Sequence, residues 1–551
     1  MSVTNNKWAT KRALKQQRVE AVSSIANGKV IPTDKMVEAL ELLVHSGDRV
    51  ILEGNNQKQA DFLSRCLDQV NPDTVNNLHM IMPSVSLPEH MNIFEKGIAK
   101  KLDFAFAGPQ SVRIAQMLED GILEIGAVHT YIELYARLYC DLIPNVALVC
   151  GYTADRNGNL FCGPSTEDTP GLVEAPAFKD GLVIAQVNNI VEDASDLERV
   201  DIPGDWIDFV VQADQPFYME PLFTRDPRLI KDTHILMAMM AIKGIYAKHN
   251  VQSLNHGIGF NTAAIELLLP TYGEQLGLKG KICKHWVLNP HPTLIPAIES
   301  GWVESVHSFG GELGMEDYTR ERPDVFFTGR DGSMRSNRTM CQLAGQYAAD
   351  MFIGATLQMD AEGNSSTVTH GRLSGFGGAP NMGHDPRGRR HSSDAWLDLI
   401  TDKTSDVVKG KKLVVQMVET FQSGETSTFV DKLDAVEVGQ HSGMPVAPIM
   451  IYGDDVTHVL TEEGIAYLYM AEDLEERKAM IAAVAGVTDL GKTVSAEKVA
   501  ELRAAGKVVT PEDLGIRRSD ANRSLLAAKS VNDLVKWSDG LYNPPAKFRS
   551  W

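Results

Sequence analysis

No run in the 551-residue chain approaches the roughly 18 consecutive apolar residues that would suggest a membrane-spanning helix. The richest stretch, residues 235–245, is too short and carries Lys243. The opening residues, MSVTNNKWATKRALKQQRVEA, have no apolar segment followed by a small-residue cleavage site and do not read as a secretory signal. These absences predict a soluble, cytoplasmic protein. Cysteine is sparse: Cys66, Cys140, Cys150, Cys162, Cys283 and Cys341 are scattered, and no pair has C-x-x-C spacing. A disulfide framework and a cysteine-based metal site are disfavoured, and reduced, mostly buried thiols are expected. A G-x-S-x-G elbow, an H-E-x-x-H zinc motif and a P-loop lysine are all missing. Positive charge is outweighed, with 53 Lys and Arg against 72 Asp and Glu and a net charge of -19. That balance opposes nonspecific association with nucleic acid or anionic membrane, so an anionic ligand has to be met by a local basic cluster.

What is present is an ordinary globular balance, 43% apolar and 23% charged, in a chain longer than one hydrophobic core usually serves. Two or more domains are therefore expected. Residues 47–67 (GDRVILEGNNQKQADFLSRCL) run from an apolar strand through a polar glycine turn into a helix, and residues 253–269 (SLNHGIGFNTAAIELLL) repeat that order. EDGILEIGAVH at 119–129 is echoed by ESGWVESVH at 299–307. The repeating unit is domain-sized, which argues for duplication and against a solenoid.

LDFAFAG (102–108), VALVCGYT (146–153), GLVIAQVN (181–188), IPGDWIDFVVQA (202–213), FIGATLQM (352–359), KLVVQMV (412–418) and APIMIYG (447–453) read as strands. Near-continuous apolar runs suit strands buried on both faces of a mainly parallel sheet. The expected fold is α/β: two related domains, each a mainly parallel sheet flanked by helices. The boundary is placed near Thr224, giving domains 1–224 and 225–551. Residues 473–486 form a helix, and the tail ending NPPAKFRSW is a surface excursion or a subunit contact.

Residues 369–393 (THGRLSGFGGAPNMGHDPRGRRHSS) are the richest glycine region. Gly377 and Gly378, followed by Pro380, make a turn whose backbone can approach a ligand closely. Its N–H groups could hold a developing oxyanion; an ordinary surface turn is the alternative. Arg387, Arg389, Arg390 and His391 follow directly, and their forks suit phosphate or carboxylate, with a solvated charged loop as an even rival. Arg330, Arg335 and Arg338 carry the same ambiguity. HGIGFN (256–261) stands between a strand and a helix, so its amides form a candidate anion site. His256, His285 and His291 read as structural more readily than catalytic.

In order along the chain, DRNGNLFCG (155–163), IPGDWIDFVV (202–211), HGIGFNTAAIELL (256–268), QMDAEGNSS (358–366), SGFGGAPNM (374–382) and THVLTEEGIAYL (457–468) resemble the CoA-transferase superfamily. The resemblance spans about residues 40 to 486 and is greatest to the malonate decarboxylase α-subunit family. Two departures stand out. Transferases that form a glutamyl thioester carry a glutamate where this chain has Leu288 and Asn289, and the glycine motif usually continues into an acidic residue where Asn381 stands. Without the carboxylate nucleophile the glutamyl route is closed.

The resemblance then implies exchange of acetyl for malonyl on an acyl carrier protein thiol, through a mixed anhydride. The thiol belongs to a phosphoribosyl-dephospho-CoA group on the partner carrier, with no cofactor or metal held by this chain and with separate decarboxylase subunits completing the cycle. Malonate and acetate are the small partners. Gly377, Gly378 and Asn289 are the expected catalytic positions, and Gly257, Gly259, Asn261, Asn381, Arg387, Arg389 and Arg390 the expected substrate-binding ones. The rivals are an acetyl-CoA:carboxylate transferase or thioesterase using Glu266 or Glu312, and a non-catalytic scaffold that docks the carrier.

Overall fold

The computed structural model describes residues 7–55, 58–164, 166–218, 227–288, 291–308, 310, 315–326, 349–382, 413–423 and 426–522. The chain divides into two compact units. The first comprises Met1–Glu220, His370–Gly377 and Gly439–Ala447; the second comprises Pro221–Thr369, Gly378–Val438 and Pro448–Trp551.

The first unit is built on eight parallel strands in the order Val30–Ile31, Phe209–Gln212, Leu182–Val191, Val146–Asp155, Arg49–Leu52, Leu78–Val85, Ala99–Ala107 and Glu124–Val128. Leu160–Phe161 folds back antiparallel on Val146–Asp155. The central strands are buried on both faces, and helices Tyr131–Cys140 and Thr169–Phe178 cover one of these faces. Their apolar runs are a direct consequence of that burial.

The second unit repeats the plan with strands Ser305–His307, His285–Val287, Ser253–His256, Met351–Gly354, Leu413–Met417 and His458–Leu460 in parallel, followed by the antiparallel pair Ile465–Ala466 and Val508–Val509. Helix Phe260–Leu268 packs its buried residues Ile265 and Leu268 into this unit's core with Trp286 and Met417.

The echoes in the sequence have physical causes. EDG and ESG each end a helix, Ser111–Glu119 in one unit and Ile295–Glu299 in the other. Gly121 (φ 70°) and Gly301 (φ 75°) take the left-handed conformation. Gly121 N–H bonds Leu118 O and Ile122 N–H bonds Met117 O; Gly301 and Trp302 do the same to Ile298 and Ala297. These are Schellman closures, which favour glycine at that point.

A second duplicated device is tighter. Asp155 Oδ1 accepts from the N–H of Asn157 (2.9 Å) and Asn159 (2.8 Å), and Asn159 Oδ1 accepts from Gly204 N–H at 2.9 Å. Asp360 does this for Glu362 (3.0 Å) and Asn364 (2.9 Å), and Asn364 Oδ1 takes Gly453 N–H at 2.9 Å. A cation closes each: Lys29 Nζ on the carbonyls of Gly204 and Ile207, Arg477 on those of Gly453 and Val456.

Two strand expectations are corrected. APIMIYG is not a strand, because the N–H groups of Met450 and Ile451 both go to Ser365 O and leave one isolated bridge. In IPGDWIDFVVQA the continuous strand is only Phe209–Gln212; Ile202 makes one isolated bridge to Leu160, and Gly204–Trp206 is the 3-10 turn that Asn159 holds. Helix Leu474–Val484 stands where the sequence places one, and the NPPAKFRSW tail lies outside the described residues. Among the described residues no helix is long and apolar enough to cross a membrane.

Candidate functional site

In open α/β sheets, ligands bind beyond the carboxyl ends of the strands. In the second unit that end carries the expected turn. Strand Ser253–His256 delivers Gly257, Ile258 and Gly259, and helix Phe260–Leu268 starts with Gly259 at its N-cap. Gly257 N–H donates to Ile353 O at 2.7 Å. A Cβ on Gly257 would stand 3.0 Å from Gly354 Cα, so the close approach of the two strands leaves little room for a side chain. Asn261 is buried in the first helical turn; its Nδ2 donates to Met417 O at 3.3 Å, while its Oδ1 has no protein partner among the described residues.

Helix Ala379–Met382 lies beside strand Met351–Gly354 and brings Asn381 to the same end. Asn381 is buried, and its N–H donates to Gly378 O at 3.0 Å. Thus Gly257, Gly259, Asn261, Gly378 and Asn381 gather in one unit. Asn289, Arg387, Arg389 and Arg390, with Arg330, Arg335, Arg338 and His391, lie outside the described residues.

Leu288, where a nucleophilic glutamate would be expected, is packed in the core of the second unit. The alternative nucleophile Glu266 is fully buried: its Oε1 stands 3.0 Å from His256 Nδ1, and its Oε2 accepts from Thr293 Oγ1. His256 Nε2 in turn meets Tyr246 OH at 2.8 Å. This is a buried polar network inside the second unit. His285 bonds Ser305 Oγ at 2.9 Å, and His291 is buried. Glu312 lies outside the described residues.

Gly377 belongs to the first unit and is held there on both sides. Its N–H donates to Ala105 O at 2.8 Å and its carbonyl accepts from Tyr131 N–H at 3.2 Å. Its φ of 58° is the left-handed conformation that a glycine adopts without strain. The Gly377 N–H is thus already committed to the strand. The Gly378 N–H makes no backbone hydrogen bond among the described residues.

One cluster escaped the sequence reading. After strand Arg49–Leu52 the first unit buries Glu53, Asn55, Lys58 and Gln59, each 2% exposed or less, where a polar turn would ordinarily be solvated. Glu53 Oε2 accepts from Cys150 N–H at 2.8 Å, and its Oε1 accepts from Thr169 Oγ1 at 2.7 Å and stands 3.6 Å from Lys58 Nζ. Lys58 also donates to Thr169 Oγ1 and to Thr166 O. Burial is the largest single influence and would lower the Lys58 pKa, but the anionic groups around it, Glu53 foremost, together outweigh it and hold the ammonium above its ordinary value. Asn55 Nδ2 reaches Asp168 Oδ2 at 3.2 Å, and Tyr135 OH donates to the other oxygen of that carboxylate. The only sequence signal was one acid and one base five residues apart in a short strand-to-helix turn.

Duplicated, mainly parallel α/β units with glycine turns at their strand ends define the fold. A solved structure described as the citrate lyase α subunit of Streptococcus mutans shares this fold, at 16% identity and a TM-score of 0.59, covering 84% of this chain and 86% of that one.

The chain belongs to the malonate decarboxylase α-subunit family, whose model, described as "Malonate decarboxylase, alpha subunit, transporter", matches residues 7–551. The acetyl-S-ACP:malonate ACP transferase of Malonomonas rubra is 58% identical over 543 residues, 97% of this chain and 98% of that protein. A chain of the crystal structure of a Pseudomonas malonate decarboxylase hetero-tetramer in complex with malonate is 70% identical, with a TM-score of 0.90 over 99% of this chain and 100% of that one.

Proposed function

We propose that this chain is an acetyl-S-ACP:malonate ACP transferase, the α subunit of a cytoplasmic malonate decarboxylase complex, working with an acyl carrier subunit and separate decarboxylase subunits. The observation that carries this reading is the 58% identity, over nearly the full length of both chains, to the transferase of Malonomonas rubra.

A malonate carboxylate oxygen attacks the acetyl thioester carbonyl, the C–S bond breaks, and the carrier leaves as a thiolate. That thiolate then attacks the malonyl carbonyl of the mixed anhydride and expels acetate, so charge and atoms balance without an enzyme nucleophile. Leu288 in the core and Glu266 inside a hydrogen-bonded network support this route over a glutamyl thioester. The chain has to bind, orient and stabilise oxyanions, tasks suited to backbone amides.

In this reading the Gly378 N–H faces the thioester oxygen. The turn Gly257–Gly259 with Asn261 and Asn381 receives the acyl end, and Asn289 is assigned a catalytic part. Arg387, Arg389 and Arg390 meet the phosphates of the carrier's phosphoribosyl-dephospho-CoA group. The test is acyl exchange on acetylated carrier with a panel of carboxylates, followed by mass spectrometry. Selective conversion of acetyl-carrier to malonyl-carrier is expected. Hydrolysis alone, or transfer only from free acetyl-CoA, would favour the thioesterase or CoA-transferase alternative, and no turnover would favour a scaffold.

A further inference from the structure

The Gly377–Gly378 peptide is planar and trans, so the Gly378 N–H points opposite to the Gly377 carbonyl. That carbonyl accepts from Tyr131 N–H, so one hydrogen bond fixes the direction of the next amide. Tyr131 is the first residue of helix Tyr131–Cys140, capped by Thr130, whose side chain accepts from Glu133 N–H. A first-turn N–H has no partner within its own helix and is available to hold another group.

The other grip on Gly377, Ala105 O, lies on strand Ala99–Ala107. A buried clamp ties this strand to the start of the helix. Asp103, two residues before Ala105, brings Oδ1 to 2.6 Å from Nε2 of His129, two residues before Tyr131. His79 Nε2 holds the other oxygen at 2.6 Å, and Arg137 Nη1 stands 3.9 Å from Oδ1. Gly126 makes the space: a Cβ there would stand 2.0 Å from Asp103 Oδ2.

We propose that Tyr131, through its main-chain N–H, and Asp103, through His129, are positioning residues that aim the Gly378 N–H at the thioester oxygen. The inference rests on the reading of Gly378 as the oxyanion donor and assigns what orients it.

The test uses full-length protein with acetylated carrier and malonate. Tyr131→Pro removes the N–H at a helix position that tolerates proline, after a Thr130 already extended at φ -82°, ψ 160°. Tyr131→Ala removes the side chain and keeps the N–H, so their ratio isolates the amide. Loss of a whole oxyanion donor lowers turnover by about 100 to 1,000-fold, and loss of its aim should give about tenfold. The expected result is kcat about tenfold lower for Tyr131→Pro than for Tyr131→Ala, with KM for malonate and carrier within about twofold. Asp103→Asn should shift kcat in the same direction and serves if the proline variant does not fold. Equal kcat for the proline and alanine variants would overturn the inference, as would an unchanged kcat in Asp103→Asn. A Gly378→Pro variant, which lacks the donor itself, separates the two failures: normal turnover there removes the oxyanion reading, whereas lost turnover there with equal Tyr131 variants removes only the positioning.

Discussion

Lys58 Nζ stands 3.6 Å from Glu53 Oε1, with both side chains almost wholly sealed inside the first unit. Desolvating two charges is costly, and removal of one partner leaves the other uncompensated. Lys58→Met, which keeps the length of the chain and removes the charge, should therefore destabilise the protein by about 3–5 kcal/mol. Adding Glu53→Gln should restore part of that loss. Denaturant unfolding of both variants checks this, and a Lys58→Met protein as stable as the parent would make the pair energetically idle.

The paired Asp–Asn turns offer a second test. A Cβ on Gly453 would lie 2.2 Å from Glu362 O, and one on Gly204 2.5 Å from Asn157 O, both against backbone that has little freedom to move. Gly453→Ala and Gly204→Ala should each cost about 1–3 kcal/mol, the usual range for overpacking. Thermal melts should show both falling together; a neutral change at either position would mean that its turn tolerates opening.

These turns show how much of the fold was legible. DRNGN and DAEGN could be read because Asp, Gly and Asn act locally, within five residues. LDFAFAG and VALVCGYT could be read because strands buried on both faces must be apolar. The partners Gly204 and Gly453 were hidden, since nothing local marks a glycine whose N–H is held from a distant loop. APIMIYG misled for the same reason: Met450 and Ile451 are buried, as in a strand, but their backbone bonds end on a single residue, Ser365.

In the site, the glycine turns were visible through their conformational demands. Glu53 and Lys58 were not, because their burial depends on Thr166 and Thr169, far along the chain. The commitment of the Gly377 N–H to Ala105 likewise arises only in three dimensions.

Acid should act on Asp103. Burial by itself would raise this carboxyl, but hydrogen bonds from His129 and His79 outweigh it and hold the group below the ordinary carboxylate range. Its folded pKa is depressed, so its contribution to stability is complete above the unfolded value of about 3.9 and is lost as pH falls below it. The charged groups around it are His79, His129 and Arg137, with Glu133 3.9 Å beyond the His129 ring. The free energy of unfolding of the parent protein should drop more steeply than that of Asp103→Asn as pH is lowered from about 6 to about 3. Parallel curves would show that this carboxylate titrates alike in the folded and unfolded states.

The proposed transfer without a glutamyl thioester gives the sharpest test of mechanism. A carboxylate nucleophile has to reach the acetyl carbonyl, and Glu266 is instead enclosed with His256 on one oxygen and Thr293 on the other. Glu266→Gln preserves the shape of that network and abolishes carboxylate nucleophilicity. Gln can still accept from Thr293 or His256, so folding should survive with a modest loss, while a true nucleophile would lose about 10⁴-fold or more in turnover, as in other covalent catalysts. Exchange within about tenfold of the parent is expected, and hydroxylamine or borohydride added during turnover should leave every glutamate unmodified. Stoichiometric trapping at one glutamate would replace the mixed-anhydride route with a covalent one, and its position would name the nucleophile. A collapse of Glu266→Gln activity in a protein that melts normally, with no trapped adduct, would instead give this core network a part in holding the turn that follows His256.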